Sequence, residues 1–185
     1  MSLLRLEGVA CIRGGRRLFE GLDLAIGAGE AVRLVGPNGA GKSSLIRVAA
    51  GLLAPAAGRV GRSGEVALAD EGVALDRERR LGDALCWWGP RARVETAMAV
   101  LGLTDLGQVP VRLLSTGQLR RARLARVVAS GAPLWLLDEP LNGLDDDGTD
   151  RLARAISEHR ERGGAVLAAS HVPLAGEWRT LELAA

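Results

Sequence analysis

The stretch Leu34–Leu45, "LVGPNGAGKSSL", decides the fold because it fits the phosphate-binding pattern G-x-x-x-x-G-K-[ST]. The preceding "EAVRLVG" predicts a strand, and "KSSLIRVAAGLL" predicts a helix that ends near Gly51. Glycines let backbone N–H groups point at phosphate oxygens, and the helix N-terminus adds positive partial charge. The candidate nucleotide-binding residues are consecutive: Gly36, Pro37, Asn38, Gly39, Ala40, Gly41, Lys42, Ser43 and Ser44.

Lys42 is the single lysine among 24 lysines and arginines. Its ammonium is a compact charge that fits between two phosphates, whereas guanidinium is a wide planar fork. Lys42 is therefore predicted to reach the β- and γ-phosphates, and the Ser43 hydroxyl is predicted to bind Mg²⁺. The motif predicts a site for a magnesium nucleotide.

The composition is that of an ordinary globular protein, with 48 % hydrophobic and 25 % charged residues in a chain of 185. The net charge of +2 is too small to indicate nucleic acid or an acidic membrane surface. Cys11 and Cys86 fit no metal spacing and are expected to be free thiols in a reducing compartment. No stretch approaches the roughly 18 apolar residues of a membrane span. We therefore expect a soluble chain.

Strands and helices are predicted to alternate along the chain. Strand patterns occur in "LLRLEGVACI" and "LDLAI", as a pair in "GRVGRSGEVALAD", and as buried runs in "LWLLDE" and "AVLAASH". Helix patterns occur in "GQLRRARLARVVASG" and "DDDGTDRLARAISEHRERGG". This order predicts an α/β fold with a mostly parallel sheet flanked by helices and a small antiparallel β part. The phosphate-loop motif indicates that the fold is of the P-loop NTPase type. We expect one domain, 1–185, with a helical lobe inserted at approximately 70–118.

Further motifs follow the phosphate loop in a fixed order: "LLSTGQLRRARLAR" (Leu113–Arg126), "LWLLDEP" (Leu134–Pro140), "LNGLD", and "ASHVP" about 30 residues later. Each motif alone is weak, because an acidic pair after a strand is common and a lone histidine is usually structural. Together they resemble the ATP-binding subunits of ABC transporters over nearly the whole chain. The resemblance implies an ABC-type ATPase that uses ATP and Mg²⁺.

The resemblance also implies roles for single residues at the predicted strand ends. Asp138 would hold the Mg²⁺ shell together with Ser43, and Glu139 would polarise the attacking water. His171 would contact the γ-phosphate, so that Glu139 and His171 are the catalytic candidates. Phosphoryl transfer depends mainly on such positioning and charge stabilisation.

The signature of the family is carried by "LSTGQ", with Thr116 where the family usually has glycine. The resemblance implies that this segment binds ATP held by a second subunit, in a head-to-tail homodimer that sandwiches two ATP molecules. The signature residues are Ser115, Thr116, Gly117 and Gln118, and the D-loop aspartate is Asp145.

Two positions depart from the family pattern. No aromatic residue precedes Gly14 to stack on adenine, and Arg13 stands there instead. A guanidinium plane can stack on a base, although a solvated arginine is an equally simple reading of Arg13. No glutamine follows "EVALA", so Glu71 is the nearest candidate for the residue beside Mg²⁺ and Asp70 is the next.

One branch of the family is matched more closely, the ATPase of the haem exporter of cytochrome c biogenesis. The resemblance to this branch rests on the short chain, the segments "PLWLLDEP" and "SHVPL", and the aromatic pair Trp87–Trp88. The resemblance implies haem-transport ATPase activity, integral membrane permease subunits as partners and a peripheral place on the cytoplasmic face of the bacterial inner membrane. No nucleic-acid partner is expected.

Other readings stay open. The chain could be the ATPase of another small-substrate ABC transporter, or a non-transport ABC ATPase acting on nucleic acid, although it has no heptads and no basic tail. A P-loop kinase or GTPase would not need "LSTGQ". Trp87 and Trp88 either pack the helical lobe or form the surface for a membrane subunit. His159, in the charged "SEHRERGG", is expected to be exposed.

Overall fold

The computed structural model describes residues 2–70 and 75–184. Within them, a five-stranded parallel sheet has the order β5-β6-β7-β3-β8, and a three-stranded antiparallel sheet has the order β2-β1-β4. The strands are β1 (Ser2–Arg13), β2 (Arg16–Gly27), β3 (Ala31–Val35), β4 (Ala57–Arg62), β5 (Val66–Ala69), β6 (Leu134–Asp138), β7 (Ala165–Ala169) and β8 (Arg179–Glu182). The helices are α1 (Lys42–Ala50), α2 (Leu81–Leu85), α3 (Arg91–Val100), α4 (Thr116–Ser130) and α5 (Asp146–Glu161), with 3₁₀ turns at Thr104–Leu106 and Val111–Leu113.

The parallel sheet forms around the two uninterrupted apolar strands β6 and β7, as expected for strands covered on both faces. Leu134 and Leu136 belong to the core on the side of α1 and β1. Trp135 and Leu137 belong to the core on the other side, under the helices. Because the strands are parallel, the residues that follow β3, β5, β6 and β7 meet at one edge of the sheet. This carboxyl edge carries the candidate site.

One sequence prediction about strand pairing is wrong. The stretch "GRVGRSGEVALAD" forms two strands, but they do not pair with each other: β4 pairs with β1 and β5 pairs with β6. The reason is packing. Apolar "VALA" adds to the buried β6, whereas Gly58 lets β4 approach the β1 backbone, since a Cβ there would lie 2.4 Å from the Gly8 carbonyl oxygen.

The helical elements between β5 and α4 share one core with α4 and the sheet. Leu81, Leu85 and Leu101 are fully buried in this core together with Trp135 of β6. The extent of a separate lobe at 70–118 stays a prediction. Within the two described ranges, no helix combines the length and apolar character needed to cross a membrane.

Candidate functional site

The loop between β3 and α1 can be formed only with glycines at its bends. Gly36 has φ 142°, and a Cβ there would lie 2.4 Å from the Leu183 carbonyl oxygen. Gly41 caps α1 with φ 100°, and its Cβ would meet the Leu18 and Phe19 side chains at 3.0 and 3.1 Å. Because a side chain at either position would be strained or blocked, the predicted role of these glycines has a direct steric basis.

Lys42 folds back across the phosphate loop. Its Nζ donates to the carbonyl oxygens of Gly36 (2.8 Å) and Pro37 (3.0 Å), and the residue is only 7 % exposed. Pro37, Asn38 and Gly39 form the exposed mouth of the loop, whereas Ala40 is buried beneath it. The ammonium therefore lies in a narrow space lined by backbone, which suits a compact charge better than a planar fork.

Ser43 and Asp138 meet although they lie 95 positions apart, since Ser43 Oγ donates to Asp138 Oδ1 at 3.0 Å. Burial raises the pKa of the Asp138 carboxyl; the Ser43 hydrogen bond opposes this, and neighbouring Glu139 adds to it. A hydroxyl and a carboxylate at one spot are hard oxygen ligands of the kind Mg²⁺ prefers. The donor set fits magnesium beside a bound phosphate chain.

Glu139 and His171 also form a pair at the carboxyl edge. Glu139 Oε1 lies 3.2 Å from His171 Nε2, and Oε2 accepts from the His171 backbone N–H at 3.3 Å. Glu139 has φ 48°, and no other non-glycine residue in the described part of the chain has a positive φ. Its own N–H donates to the Ala169 carbonyl at 2.9 Å. This strained backbone aims the carboxylate at His171, the second residue after β7.

Asp70 reaches the same edge at the end of β5. Its carboxylate is 8 % exposed, and Oδ2 lies 4.0 Å from Arg47 Nη2. A cleft of about 40 Å³ is lined by acidic and basic side chains together, which are Asp70, Asp138, Glu139, Arg120 and Arg123. Glu71, the first candidate for the residue beside Mg²⁺, lies outside the described residues.

The signature residues form a separate group at the start of α4. Ser115 Oγ accepts from the Gln118 N–H at 3.2 Å, and Gln118 Oε1 accepts from the Ser115 N–H at 2.9 Å, which makes a capping box. Ser115 and Thr116 are exposed, and a Cβ on Gly117 would lie 4.0 Å from the Gly143 carbonyl oxygen. Because the Ser115 oxygen acts as an acceptor in the cap, its hydroxyl hydrogen is available to a ligand.

Two further predicted residues have defined local surroundings. Asp145 caps α5, its Oδ1 accepting from the Gly148 N–H at 2.9 Å. Arg13 is exposed at the end of β1, where the chain turns into β2. Cys11, two residues earlier, is buried, which raises the pKa of its thiol, while Arg13 and the Ser44 side chain oppose that rise. Arg13 stays a candidate for contact with the base.

The prediction that His159 is exposed is wrong. Its ring stacks on the Trp135 ring at 3.9 Å with an interplanar angle of 10°, and burial lowers its pKa. Gly164 makes the space, since a Cβ there would lie 2.2 Å from the imidazole. The spacing gave a signal: Leu152, Ile156 and His159 lie on one face of α5 at helical intervals.

Sequence reasoning gave no role to Arg126, which is 2 % exposed in the middle of α4. Its Nη2 donates to the Leu68 carbonyl, and its Cζ lies 4.6 Å from the centre of the Trp88 ring. Burial lowers its pKa to about 10. Its position on the buried alanine face of α4, with Ala122 and Ala129, was the available signal. Trp88 is 37 % exposed and Trp87 is 81 % exposed.

The phosphate loop, the Ser43–Asp138 pair and the Glu139–His171 pair, all at one edge of a parallel sheet, define a P-loop nucleoside triphosphatase. More narrowly, the chain belongs to the ABC transporter family, whose model matches residues 19–142.

Its curated relatives include the cytochrome c biogenesis ATP-binding export protein CcmA of Sphingopyxis alaskensis, 59 % identical, with 94 % of this chain and 92 % of the relative covered. The protein of the same name from Novosphingobium aromaticivorans is also 59 % identical, with 91 % and 88 % covered. A solved ATP-binding subunit of an ABC transporter has the same fold, with a TM-score of 0.84 at 22 % identity, over 92 % of this chain and 80 % of the other. The chain is thus an ATP-binding and ATP-hydrolysing subunit of a transporter.

Proposed function

We propose that this chain is the ATPase of the haem exporter that acts in cytochrome c biogenesis. The observation that carries the proposal is the likeness to export proteins of cytochrome c biogenesis at 59 % identity along almost the full length of both chains. The haem cargo follows from the resemblance of the sequence to that branch of the family. An ATPase for another small substrate is the alternative.

In the proposed reaction the phosphate loop binds the triphosphate, and Lys42 exchanges its loop carbonyls for β- and γ-phosphate oxygens. Ser43 and Asp138 would hold Mg²⁺, which neutralises charge on those oxygens. Glu139 accepts a hydrogen bond from the attacking water and orients it towards the γ-phosphorus. His171, already 3.2 Å from Glu139, would exchange that contact for the γ-phosphate.

The signature segment completes this site in a head-to-tail homodimer. The Ser115 hydroxyl and the Gly117 N–H, at the N-terminus of α4, would bind the γ-phosphate of ATP held by the second copy. Thr116 fills the place of the usual glycine, and its side chain is exposed. The Asp145 side chain caps α5 and so fixes the start of that helix, and in the proposed dimer the D-loop would lie beside the same interface. Hydrolysis then depends on closure of the dimer.

The dimer would dock on integral membrane permease subunits at the cytoplasmic face of the bacterial inner membrane. Trp87, with 81 % of its surface exposed, is the best-placed apolar side chain for that contact. Trp88 lies next to Trp87, but part of its ring is covered by the Arg126 guanidinium. Nucleic acid is not proposed as a partner.

The test is complementation of a bacterium that lacks its own exporter ATPase. The wild-type chain, expressed with the membrane subunits of its own genome, should restore cytochromes with covalently attached haem, measured by haem staining of separated membrane proteins. Glu139→Gln at matched expression is the control and should restore none. Normal ATPase activity in membranes without any restored haem attachment would contradict haem export and favour another cargo.

A further inference from the structure

Arg126 is a buried cation that the nucleotide chemistry does not use. Its guanidinium is held by the Leu68 carbonyl on one side and by the Trp88 ring, 4.6 Å away, on the other. Nη1 is buried without a hydrogen-bond partner among the described residues. A buried charge with incomplete pairing costs stability, and an apolar side chain would fill the same space at lower cost. Packing alone therefore does not account for an arginine at this position.

The Leu68 carbonyl that holds Arg126 lies close to the proposed metal site. Leu68 lies two residues before Asp70, and pairing of Ala69 with Leu137 places Asp70 beside Asp138. Asp70 attracts Arg126 and lies 4.0 Å from Arg47, while it acts on Asp138 as a like charge. Asp70, the second candidate for the residue beside Mg²⁺, thus lies within the electrostatic reach of two arginines, Arg47 and Arg126.

We infer that Arg126 is a positioning residue for the metal site, which fixes the end of β5 and Asp70 against Asp138 and is itself held in place by Trp88. A contact chain runs from the partly exposed Trp88 through Arg126 and the β5 backbone to Asp70, and then to the Asp138–Ser43 pair. The inference rests on the proposed role of Asp138 and Ser43 in binding Mg²⁺.

The experiment measures ATP hydrolysis by the full chain against Mg²⁺ concentration, and ATP affinity in excess EDTA. Arg126→Met should raise the Mg²⁺ concentration for half-maximal activity by about two- to thirtyfold. Trp88→Leu should raise it by a smaller factor. ATP affinity without metal should stay at the wild-type value in both variants, because the phosphate loop is untouched. Arg126→Lys keeps the charge, so its Mg²⁺ concentration for half-maximal activity should lie between those of the wild type and Arg126→Met.

Arg154→Met is the matched control, the same exchange at an exposed arginine of α5, and should leave the Mg²⁺ response unchanged. A wild-type Mg²⁺ response in folded Arg126→Met, or a parallel loss of ATP affinity in EDTA, would overturn the inference. If Arg126→Met does not fold, Trp88→Leu tests the inference through the same two measurements, the Mg²⁺ dependence of hydrolysis and the ATP affinity in EDTA.

Asp138→Asn separates this inference from the proposed function. If Asp138→Asn keeps the wild-type Mg²⁺ response, the assignment of the metal site fails and the inference fails with it. If Asp138→Asn loses the response while Arg126→Met and Trp88→Leu keep it, the metal site stands and the inference alone is wrong.

Discussion

The two histidines of the chain lie near opposite ends of β7 and have opposite surroundings. His171 follows the carboxyl end, has half of its side chain exposed, and pairs with Glu139. His159 lies near the amino end, stacks on Trp135, and has a pKa lowered by burial. The carboxyl edge of the sheet thus offers partnered polar groups to a ligand, whereas the amino edge uses the same residue type for packing. Substitutions at the first edge should change turnover, and those at the second should change stability.

The largest effect is expected for Glu139→Gln. The amide keeps the shape of the side chain but cannot accept a proton or orient water as the carboxylate does, so turnover should fall by about 10²- to 10⁴-fold. ATP binding should persist, and the protein should accumulate as a closed dimer with ATP, measured by size-exclusion chromatography with light scattering. A variant that hydrolyses ATP at the wild-type rate would remove Glu139 from the mechanism.

Lys42→Arg should be the next most damaging change, although it preserves the charge. The guanidinium is too wide for the space between the Gly36 and Pro37 carbonyls, where Nζ now lies at 2.8 and 3.0 Å. Hydrolysis should fall by about 10²-fold, measured as initial rate under saturating ATP. Arg154→Lys, the reverse exchange at an exposed position of α5, is the control for general sensitivity to this exchange. Near-normal activity of Lys42→Arg would undo the compact-charge explanation.

The carboxyl edge was largely predictable from the sequence because its residues follow apolar strands at fixed spacing. Lys42 could be placed from the phosphate-loop pattern alone, and Asp138 and Glu139 from the resemblance carried by the ordered set of motifs. Their contacts could not, because the Ser43–Asp138 bond depends on strand order. Strand order is also the reason that the β4–β5 pairing was wrong.

The amino edge and the interior arginine were less predictable, because their surroundings depend on tertiary packing that local sequence does not show. The His159 ring is half-buried against Trp135, and it fits there because Gly164, five residues later, has no Cβ to block it. Arg126 is held by Trp88, from a different part of the helical segment. Local charge suggested exposure in "SEHRERGG", and packing against distant residues overrode it.

Ser115→Asp tests whether the signature segment belongs with the carboxyl edge in function. Aspartate is as good a helix cap as serine, so the thermal midpoint should change little. Its negative charge would face the γ-phosphate of ATP bound by the second subunit, so hydrolysis should fall by about tenfold or more. When Ser115→Asp is combined with Glu139→Gln, the double variant should no longer form the closed dimer expected for Glu139→Gln alone. Ser115→Thr keeps both cap and hydroxyl and is the control; equal activity of the two variants would remove Ser115 from the interface.

The smallest effect is expected at His159, and it should appear in stability alone. Burial lowers the pKa of His159 in the folded chain below that of the unfolded chain, so the unfolded state binds more protons at acidic pH. The folded state therefore keeps this part of its stability above the unfolded pKa of about 6.5, and loses it as the pH falls through the pKa of His159 in the folded chain.

His159→Phe keeps a ring against Trp135 but cannot be protonated, so its thermal midpoint should fall less than that of the wild type between pH 7.5 and pH 5. The difference should be on the order of 2 °C by calorimetry. Equal pH dependence of the two proteins would show that the stacked imidazole is not the titrating group, and altered turnover at pH 7.5 would break the contrast between the two edges.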